Sequence, residues 1–269
     1  MSELRDKTVL ITGAASGIGR CLALALVEEG SRLALVDINE EGLREVAEEI
    51  GRKGGEAAIY RVDISDRSQV EALARDVEPQ VLVNCAAILL MADFEDTSPE
   101  DWERILSVNL MGPINMIRAF LPALKASRGH VVIFSSGAGM AGNPGYGAYS
   151  VSKFGLMGLS EVLDAELAGH SIRVTVVCPG YTWTPIYDQA MLKGYNRKKV
   201  ARAFRLLSPI WFTTPEKLVP KVIAAIKKDQ ALLAHTFFCK FAYYLKRFSP
   251  WLQRKIAVQY YRMEKSWKG

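Results

Sequence analysis

Seven short, nearly uninterrupted apolar runs punctuate this chain, each separated from the next by a longer stretch of helical character. They are TVLITG, RLALVDI, AAIYRVDI, VLVNCAA, HVVIFSS, IRVTVVCPG and, more weakly, ALLAH. A strand with one face in water alternates polar and apolar residues, whereas a strand of almost continuous Val, Ile, Leu and Ala must be covered on both faces. The intervening stretches include GRCLALALVEEG, EEGLREVAEEIGRKGG, RSQVEALARDV, PEDWERILSVNLMGPINMIRAFLPALKAS and YSVSKFGLMGLSEVLDAELAGH. Strands and helices in this alternation build a parallel sheet with helices on both sides. The chain therefore reads as an α/β protein with one doubly wound, Rossmann-type sheet over residues 1–233, followed by an amphipathic helical extension over 234–269.

At 269 residues, 49% hydrophobic and 23% charged, the chain can bury a large core, which sets aside disordered and fibrous classes. The opening MSELRDKTVLITG passes from charged residues straight into the first strand, without the apolar segment of a secretory signal. Runs such as VLVNCAAILLMA are too short and interrupted to cross a bilayer. Cys21, Cys85, Cys178 and Cys239 lack the spacing of metal ligands or of a disulfide framework, so buried thiols in a reducing cytoplasm, and no metal, are the expectation. The net charge of +5 is uneven: from Ala231 onward eight Lys or Arg face one acid, so the tail carries +7 and the body −2. Such a body offers nothing to a nucleic acid.

Behind the first run lies TGAASGIGR, in which Gly13, Gly17 and Gly19 lead into a helix expected to begin near Ile18. Glycines in a strand-to-helix turn let the backbone approach a pyrophosphate, and the helix N-terminus offers free N–H groups. The bland alternative is close packing of helix on strand; the position between strand and helix favours the cofactor. The second run ends in Asp37, 18 residues beyond Gly19, where a carboxylate can accept both hydroxyls of an adenosine ribose and repel a 2′-phosphate. Asp37 could equally cap the next helix. Ala15, Ser16 and Ile38 supply no cation for a phosphate, and Arg20 and Arg32 are less well placed, so NAD is expected over NADP.

In GYGAYSVSKFG, Tyr149 and Lys153 stand four residues apart, on one face of a helix. An arbitrary pair of this kind is a half-buried ring beside a solvated ammonium. The sharper reading is a phenol tuned for proton transfer, since a free tyrosine, with a pKa near ~10, is a poor base at neutral pH.

Four separated motifs decide between these readings. TGAASGIG at Thr12 to Gly19, VNL with Asn109, FSS with Ser135 and Ser136, and YSVSK with Tyr149 and Lys153 occur in this order. Together they resemble the classical short-chain dehydrogenases/reductases, a resemblance that runs from Lys7 to about Leu233, and CPGYTWT adds that family's nicotinamide-side loop. The resemblance implies catalysis by Ser136, Tyr149 and Lys153, with Ser136 polarising the substrate oxygen, Lys153 tuning Tyr149 and binding the nicotinamide ribose, and Asn109 holding a water that links Lys153 to solvent. It further implies cofactor contacts from Gly13, Ser16, Gly17, Ile18, Gly19, Asp37, Asp63, Ile64, Asn84, Tyr149, Lys153, Pro179, Gly180, Thr182 and Thr184. Ser135, on the other face of its strand, is expected to be structural. The chain departs from the family at Asn84-Cys85-Ala86-Ala87, where NNAG is usual; this alters the backbone path past the adenosine and touches no catalytic group.

Residues 183–212 fall where the family carries its variable lid and mix aromatic, aliphatic and basic side chains, which either build an apolar pocket for a lipid, steroid, retinoid or aryl alcohol or simply pack the lid. The tail from Ala231 holds ten of the 25 aromatic residues, with Phe237, Phe241, Tyr244, Leu245 and Phe248 at helical spacing and a break at Ser249-Pro250. It could lie on an anionic membrane, cap the substrate entrance, or be buried in a homodimer or homotetramer, the assemblies usual among relatives. The resulting expectation is an NAD-dependent oxidoreductase interconverting an apolar secondary alcohol and its ketone, cytoplasmic or peripheral on a membrane. Two other classes are weighed. A dinucleotide-binding sensor or scaffold would have no use for a proton relay, and a nucleotide-sugar epimerase or dehydratase would need a larger C-terminal domain.

Overall fold

The computed structural model describes residues 4–268, and within them all seven runs form strands of one parallel sheet. In chain order these are β1 (Thr8–Thr12), β2 (Arg32–Asp37), β3 (Ala57–Arg61), β4 (Val81–Asn84), β6 (His130–Phe134), β7 (Arg173–Cys178) and β9 (Leu232–Ala234). A separate two-stranded ribbon pairs β5 (Leu90–Met91) with β8 (Met191–Leu192). The sheet order is β3-β2-β1-β4-β6-β7-β9, so the winding reverses between β1 and β4. Open α/β sheets bind ligands outside the carboxyl ends of the strands at such a reversal.

Helices α1 (Gly17–Glu28), α2 (Glu40–Arg52) and α9 (Pro215–Lys227) cover one face. Leu22, Leu26, Leu43, Val46, Leu218 and Val222 pack there against Val9, Ile11 and Val83. The opposite face is covered by α3 (Arg67–Asp76), α5 (Gly112–Ser127) and α7 (Gly147–Leu167), through Val70, Met116, Phe120, Leu124 and Leu156 against Leu10, Leu82 and Val131. Because β1, β4 and β6 lie between these two layers, both of their faces are buried, which is the origin of their continuous apolar sequences.

The stretch expected as one long helix is divided. Helix α4 (Pro99–Leu106) starts with a reciprocal capping box of Ser98 and Asp101, then widens into a π turn over Ser107–Met111 before α5 continues. Taken together, Pro99–Ser127 has the length and hydropathy of a membrane span, a property that no single apolar run of the sequence suggests. Here its apolar side, with Phe120 and Leu124, packs on the sheet.

The remaining elements gather at the carboxyl ends of the strands: α6 (Gly137–Met140), α8 (Arg197–Trp211), α10 (Phe237–Phe248) and α11 (Pro250–Glu264). The helix break at Ser249-Pro250 falls where the sequence predicts it. Phe204 of α8 meets Trp267 edge-on at 5.9 Å, within a cluster that also holds Leu89, Tyr146 and Tyr195. Asp93 fastens the chain end: its carboxylate accepts from the Tyr195 hydroxyl at 2.8 Å, from the Tyr261 hydroxyl and from the Lys268 ammonium. The four thiols are free; Cys178 and Cys239 are buried, whereas Cys21, inside α1, and Cys85, just beyond β4, are only partly so. No group of three or more potential metal-ligating side chains occurs among the described residues.

Candidate active site

The glycine-rich turn is shaped by its neighbours. Gly13 has φ +70°, and a Cβ there would lie 2.8 Å from the Ala86 backbone, so the Asn84–Ala87 segment passes directly against the turn. Gly17, φ +54°, faces Thr184, whose Cβ would be 3.2 Å from a side chain at that position. Ile18 packs partly onto the core, Gly19 is buried, and Ser16 caps α1 with its backbone while its hydroxyl makes no capping bond. Thr12, which the sequence places at the head of the TGAASGIG motif without giving it a role, ties the layers: its hydroxyl accepts from Cys85 N at 3.0 Å and Ala86 N at 3.2 Å.

Asp37 closes the same turn from β2, accepting from Ala15 N at 3.2 Å and from Asn39 N at 3.0 Å. Two cations considered for a 2′-phosphate are engaged elsewhere, Arg20 with Glu49 and Arg32 with the Asp6 carbonyl. A third, Arg61, stands opposite Asp37 in the β2–β3 register and escapes a reading based on distance along the chain. Asp63 uses its carboxylate on its own turn, accepting from Ser65 N and Oγ. Ile64 is buried against Gly112, and its carbonyl accepts from Asn115 Nδ2 at 3.1 Å.

These features fit a dinucleotide. Gly13 and Gly17 bring the backbone of the turn close to its neighbours in conformations that a side chain would strain. Asn84, beside Thr12 in the sheet, has both side-chain polar atoms buried without a hydrogen-bond partner. Buried polar groups are seldom left unpaired, so this amide at the crevice is a group that a bound ligand or a water can satisfy. On the other side of the reversal, the Pro179 carbonyl accepts from Gly137 N, Thr182 Oγ1 donates to the Gly180 carbonyl, and Gly180 lies so close to Thr236 that a Cβ would meet its hydroxyl at 2.5 Å.

Helix α7 brings Tyr149 and Lys153 to one side, as their spacing requires. Lys153 is buried, donates to the Phe134 carbonyl at 2.9 Å, and holds its ammonium 5.6 Å from the Tyr149 ring centroid. Ser135 is structural, donating to the Lys153 carbonyl at 2.8 Å. Ser136 caps α6, accepting from Ala138 N at 3.1 Å, with its hydroxyl also beside the Tyr149 phenol. Burial pushes Tyr149 up to about 12, against a smaller lowering by Ser136, and draws Lys153 down to about 8. In the protein alone, desolvation thus dominates both groups, because a low-dielectric site penalises both charged forms, and the lowering of the phenol by Lys153 that the spacing suggests is not among the influences on Tyr149.

Asn109 lies in the π turn, fully buried, donating to the Ile88 carbonyl and accepting from Ile88 N, both at 2.8 Å. Widened turns of this kind occur often at functional sites. The amide is therefore a clamp between the π turn and the segment after β4, with Ser152 Oγ at 3.4 Å.

A cavity of about 370 Å³ opens over the Tyr149 phenol. Ser136, Tyr149 and Gly180 form part of its floor, Tyr181 of the loop after β7 with Ile186 and Tyr187 of the lid form one wall, and α10 and α11 form the other through Phe241, Leu245, Ile256 and Tyr260. The tail thus lies at the cavity, one of the places the sequence left open for it, whereas no motif points to Tyr146, whose buried hydroxyl lacks a partner.

This arrangement is a Rossmann-type sheet with a glycine-rich turn at its strand reversal and a phenol beside a buried ammonium under an apolar cavity. The chain matches the family model described as short chain dehydrogenase over residues 7–193. It is 35% identical over 244 residues to "Probable oxidoreductase EphD" of Mycobacterium tuberculosis, covering 84% of this chain and 40% of that protein. It is 37% identical over 195 residues to "Oxidoreductase UcpA" of Salmonella typhimurium, covering 70% of this chain and 74% of that one. Among solved structures, a short chain dehydrogenase/reductase from Burkholderia phymatum in complex with NAD has a TM-score of 0.85 at 25% identity, over 94% of this chain and 97% of the other. The chain belongs to the short-chain dehydrogenase/reductase family of oxidoreductases. It spans about two fifths of the length of the mycobacterial relative.

Proposed function

We propose that this protein is an NAD-dependent oxidoreductase that interconverts an apolar secondary alcohol and its ketone, with Tyr149 as the proton-transferring group. The observation that carries the reading is that Ser136 and Tyr149 meet at the floor of a cavity whose walls are otherwise largely aromatic and aliphatic, with the buried Lys153 ammonium 5.6 Å from the Tyr149 ring. Such a cavity selects a bulky apolar ligand and leaves its one reacting oxygen to the polar floor.

The bound nicotinamide supplies the hydride acceptor or donor and, when oxidised, a positive charge. In the alcohol-to-ketone direction Tyr149 takes the hydroxyl proton, and in the reverse direction it returns one. Ser136 holds the reacting oxygen in line with the phenol. Lys153, buried and anchored on Phe134, is the cation that steadies the phenolate; it would also reach the nicotinamide ribose. Asn109 is a positioning residue, since its amide is spent on Ile88 and holds the π turn beside α7. Gly13, Ser16, Gly17, Ile18 and Gly19 would hold the pyrophosphate, Asp37 the adenosine ribose, and Asn84 the adenosine side of the nucleotide. Pro179, Gly180, Thr182 and Thr184 would hold the nicotinamide. Asp63 and Ile64 would contribute through their backbone, because Asp63 closes its own turn and Ile64 is packed.

The Burkholderia relative is a complex with NAD, and Asp37 without a free cation at Arg20 or Arg32 supports the same choice here. NADH formation across aliphatic, aryl, steroid and retinoid alcohols, with NAD and NADP in parallel, tests the reading. Turnover of bulky apolar alcohols with NAD is expected; activity confined to small polar alcohols, or faster with NADP, would overturn the corresponding part.

A further inference from the structure

The helices that wall the cavity on their inner side carry an unpartnered apolar surface on their outer side. Along α10, Phe237, Phe241, Tyr244 and Phe248 recur at intervals of three or four residues and so form one stripe. Phe237 is 74% and Phe248 84% exposed, and Trp251 at the start of α11 is 65% exposed. The rings stack along the stripe, Phe237 on Phe241 at 6.1 Å and Tyr244 on Phe248 at 6.4 Å, so they form a ridge rather than separate side chains. A contiguous exposed apolar patch of this kind marks an interaction surface.

Charge identifies the partner. From Thr236 to Met263 the chain carries Lys240, Lys246, Arg247, Arg254, Lys255 and Arg262, all exposed, and no acid. A second copy seated across a twofold axis on this face would bring the same six cations against themselves. An anionic bilayer meets both features: the aromatic rings enter the headgroup boundary, and the cations lie against the lipid phosphates and serines.

The ridge is continuous with the active-site cavity. Phe237, Phe241 and Ile256 line the cavity and are themselves largely exposed, so they form its mouth. We infer that α10 and α11 dock the protein on an anionic lipid surface, with the cavity mouth opening at the headgroup boundary, so that an apolar substrate enters from the lipid. The docking stands on the surface alone; the entry of substrate rests on the function proposed above.

The test uses the full chain and vesicles of phosphatidylcholine with or without phosphatidylserine. The protein should co-sediment with the serine-containing vesicles, and binding should fall ~10-fold or more as ionic strength rises from roughly 0.1 to 0.5 M, because screening shortens the reach of the cations. Bromine-labelled lipid should quench tryptophan fluorescence, and Trp251→Phe should remove that quenching. Phe248→Glu with Trp251→Glu changes two exposed positions and should lower vesicle binding at least ~10-fold, with NAD binding and molecular mass unchanged. Absence of binding to phosphatidylserine vesicles, or binding that ignores the double substitution, would overturn the proposal. A dimer that the same substitutions dissociate would assign the face to a second copy and overturn it equally. Vesicle binding is read without turnover, so failure here leaves the oxidoreductase assignment standing, and inactivity on every alcohol leaves the docking standing.

Discussion

The cofactor side and the substrate side of this molecule are built on different logics. On the cofactor side, a few residues close together in the chain do the positioning: the turn from Gly13 to Gly19, the end of β2 at Asp37, and one face of α7 with Tyr149 and Lys153. On the substrate side, the cavity wall is assembled from the segment after β4, the lid and the last thirty residues, joined by aromatic contacts and by the Asp93 cluster of Tyr195, Tyr261 and Lys268. The first region depends on local backbone geometry, which tolerates little change. The second depends on shape filled by side chains, which can be exchanged while the chemistry stays the same. The difference teaches where to look for activity and where to look for specificity.

Four experiments would sharpen or break that contrast, beginning with the chemistry. Tyr149→Phe removes the acid/base oxygen and little else, so turnover should drop by about 10²- to 10⁴-fold while NAD affinity and thermal stability stay near those of the parent. Near-parental turnover would end the proton-transfer role.

The second concerns how the substrate side is fastened. Glu264 is fully buried, neither carboxylate oxygen has a hydrogen bond of normal geometry, and burial raises it from 4.5 to about 8 despite a partial offset from Tyr260. The folded chain therefore holds this proton through a pH range in which the unfolded chain has lost it. The resulting stability is greatest below the unfolded value and is lost as pH rises through about 8, a change on the order of 2–4 kcal/mol. Thermal melting of Glu264→Gln against the parent across that range should show the variant's dependence flattened. An equally steep decline in the variant would move the effect elsewhere.

Cofactor choice comes third. Asp37→Ala removes the carboxylate that stands opposite Arg61 in the strand register, and the ratio of kcat/KM for NAD over NADP should narrow by about 10-fold, roughly the 1.4 kcal/mol of one repelled contact. A parent enzyme already faster with NADP would show that Arg61 governs the site. Last, Ala242→Phe adds a ring to the α10 wall and should raise KM for bulky alcohols severalfold while leaving a small alcohol and NAD binding unaffected. Equal effects on large and small substrates would mean that this wall does not set specificity.

Seven strands, their parallel arrangement and the pair of residues on α7 were legible in the sequence because each is written within a few consecutive residues. Burial on both faces leaves continuous apolar runs, and a helical turn places residue 153 above residue 149. The π turn at Asn109 was not legible, since an i→i+5 step leaves the same apolar pattern as an ordinary helix over so short a span. Nor was the direction of the Tyr149 shift, because burial is a property of everything packed around the phenol.

By itself, then, the chain's order of residues determined the fold class, the glycine-rich turn between strand and helix, and the placing of Tyr149 and Lys153 on one helix face, all features with a local period or spacing. Tertiary structure alone decided that Arg61 stands beside Asp37, that Asn84 lies buried without a partner, and that Asp93 binds Lys268 from 175 residues away. It also decided that a basic aromatic tail forms the wall and mouth of the cavity. The physical reason is that periodicity records which face of an element is buried, but not what it is buried against. That second fact is set by loop closure and packing between segments far apart in the chain.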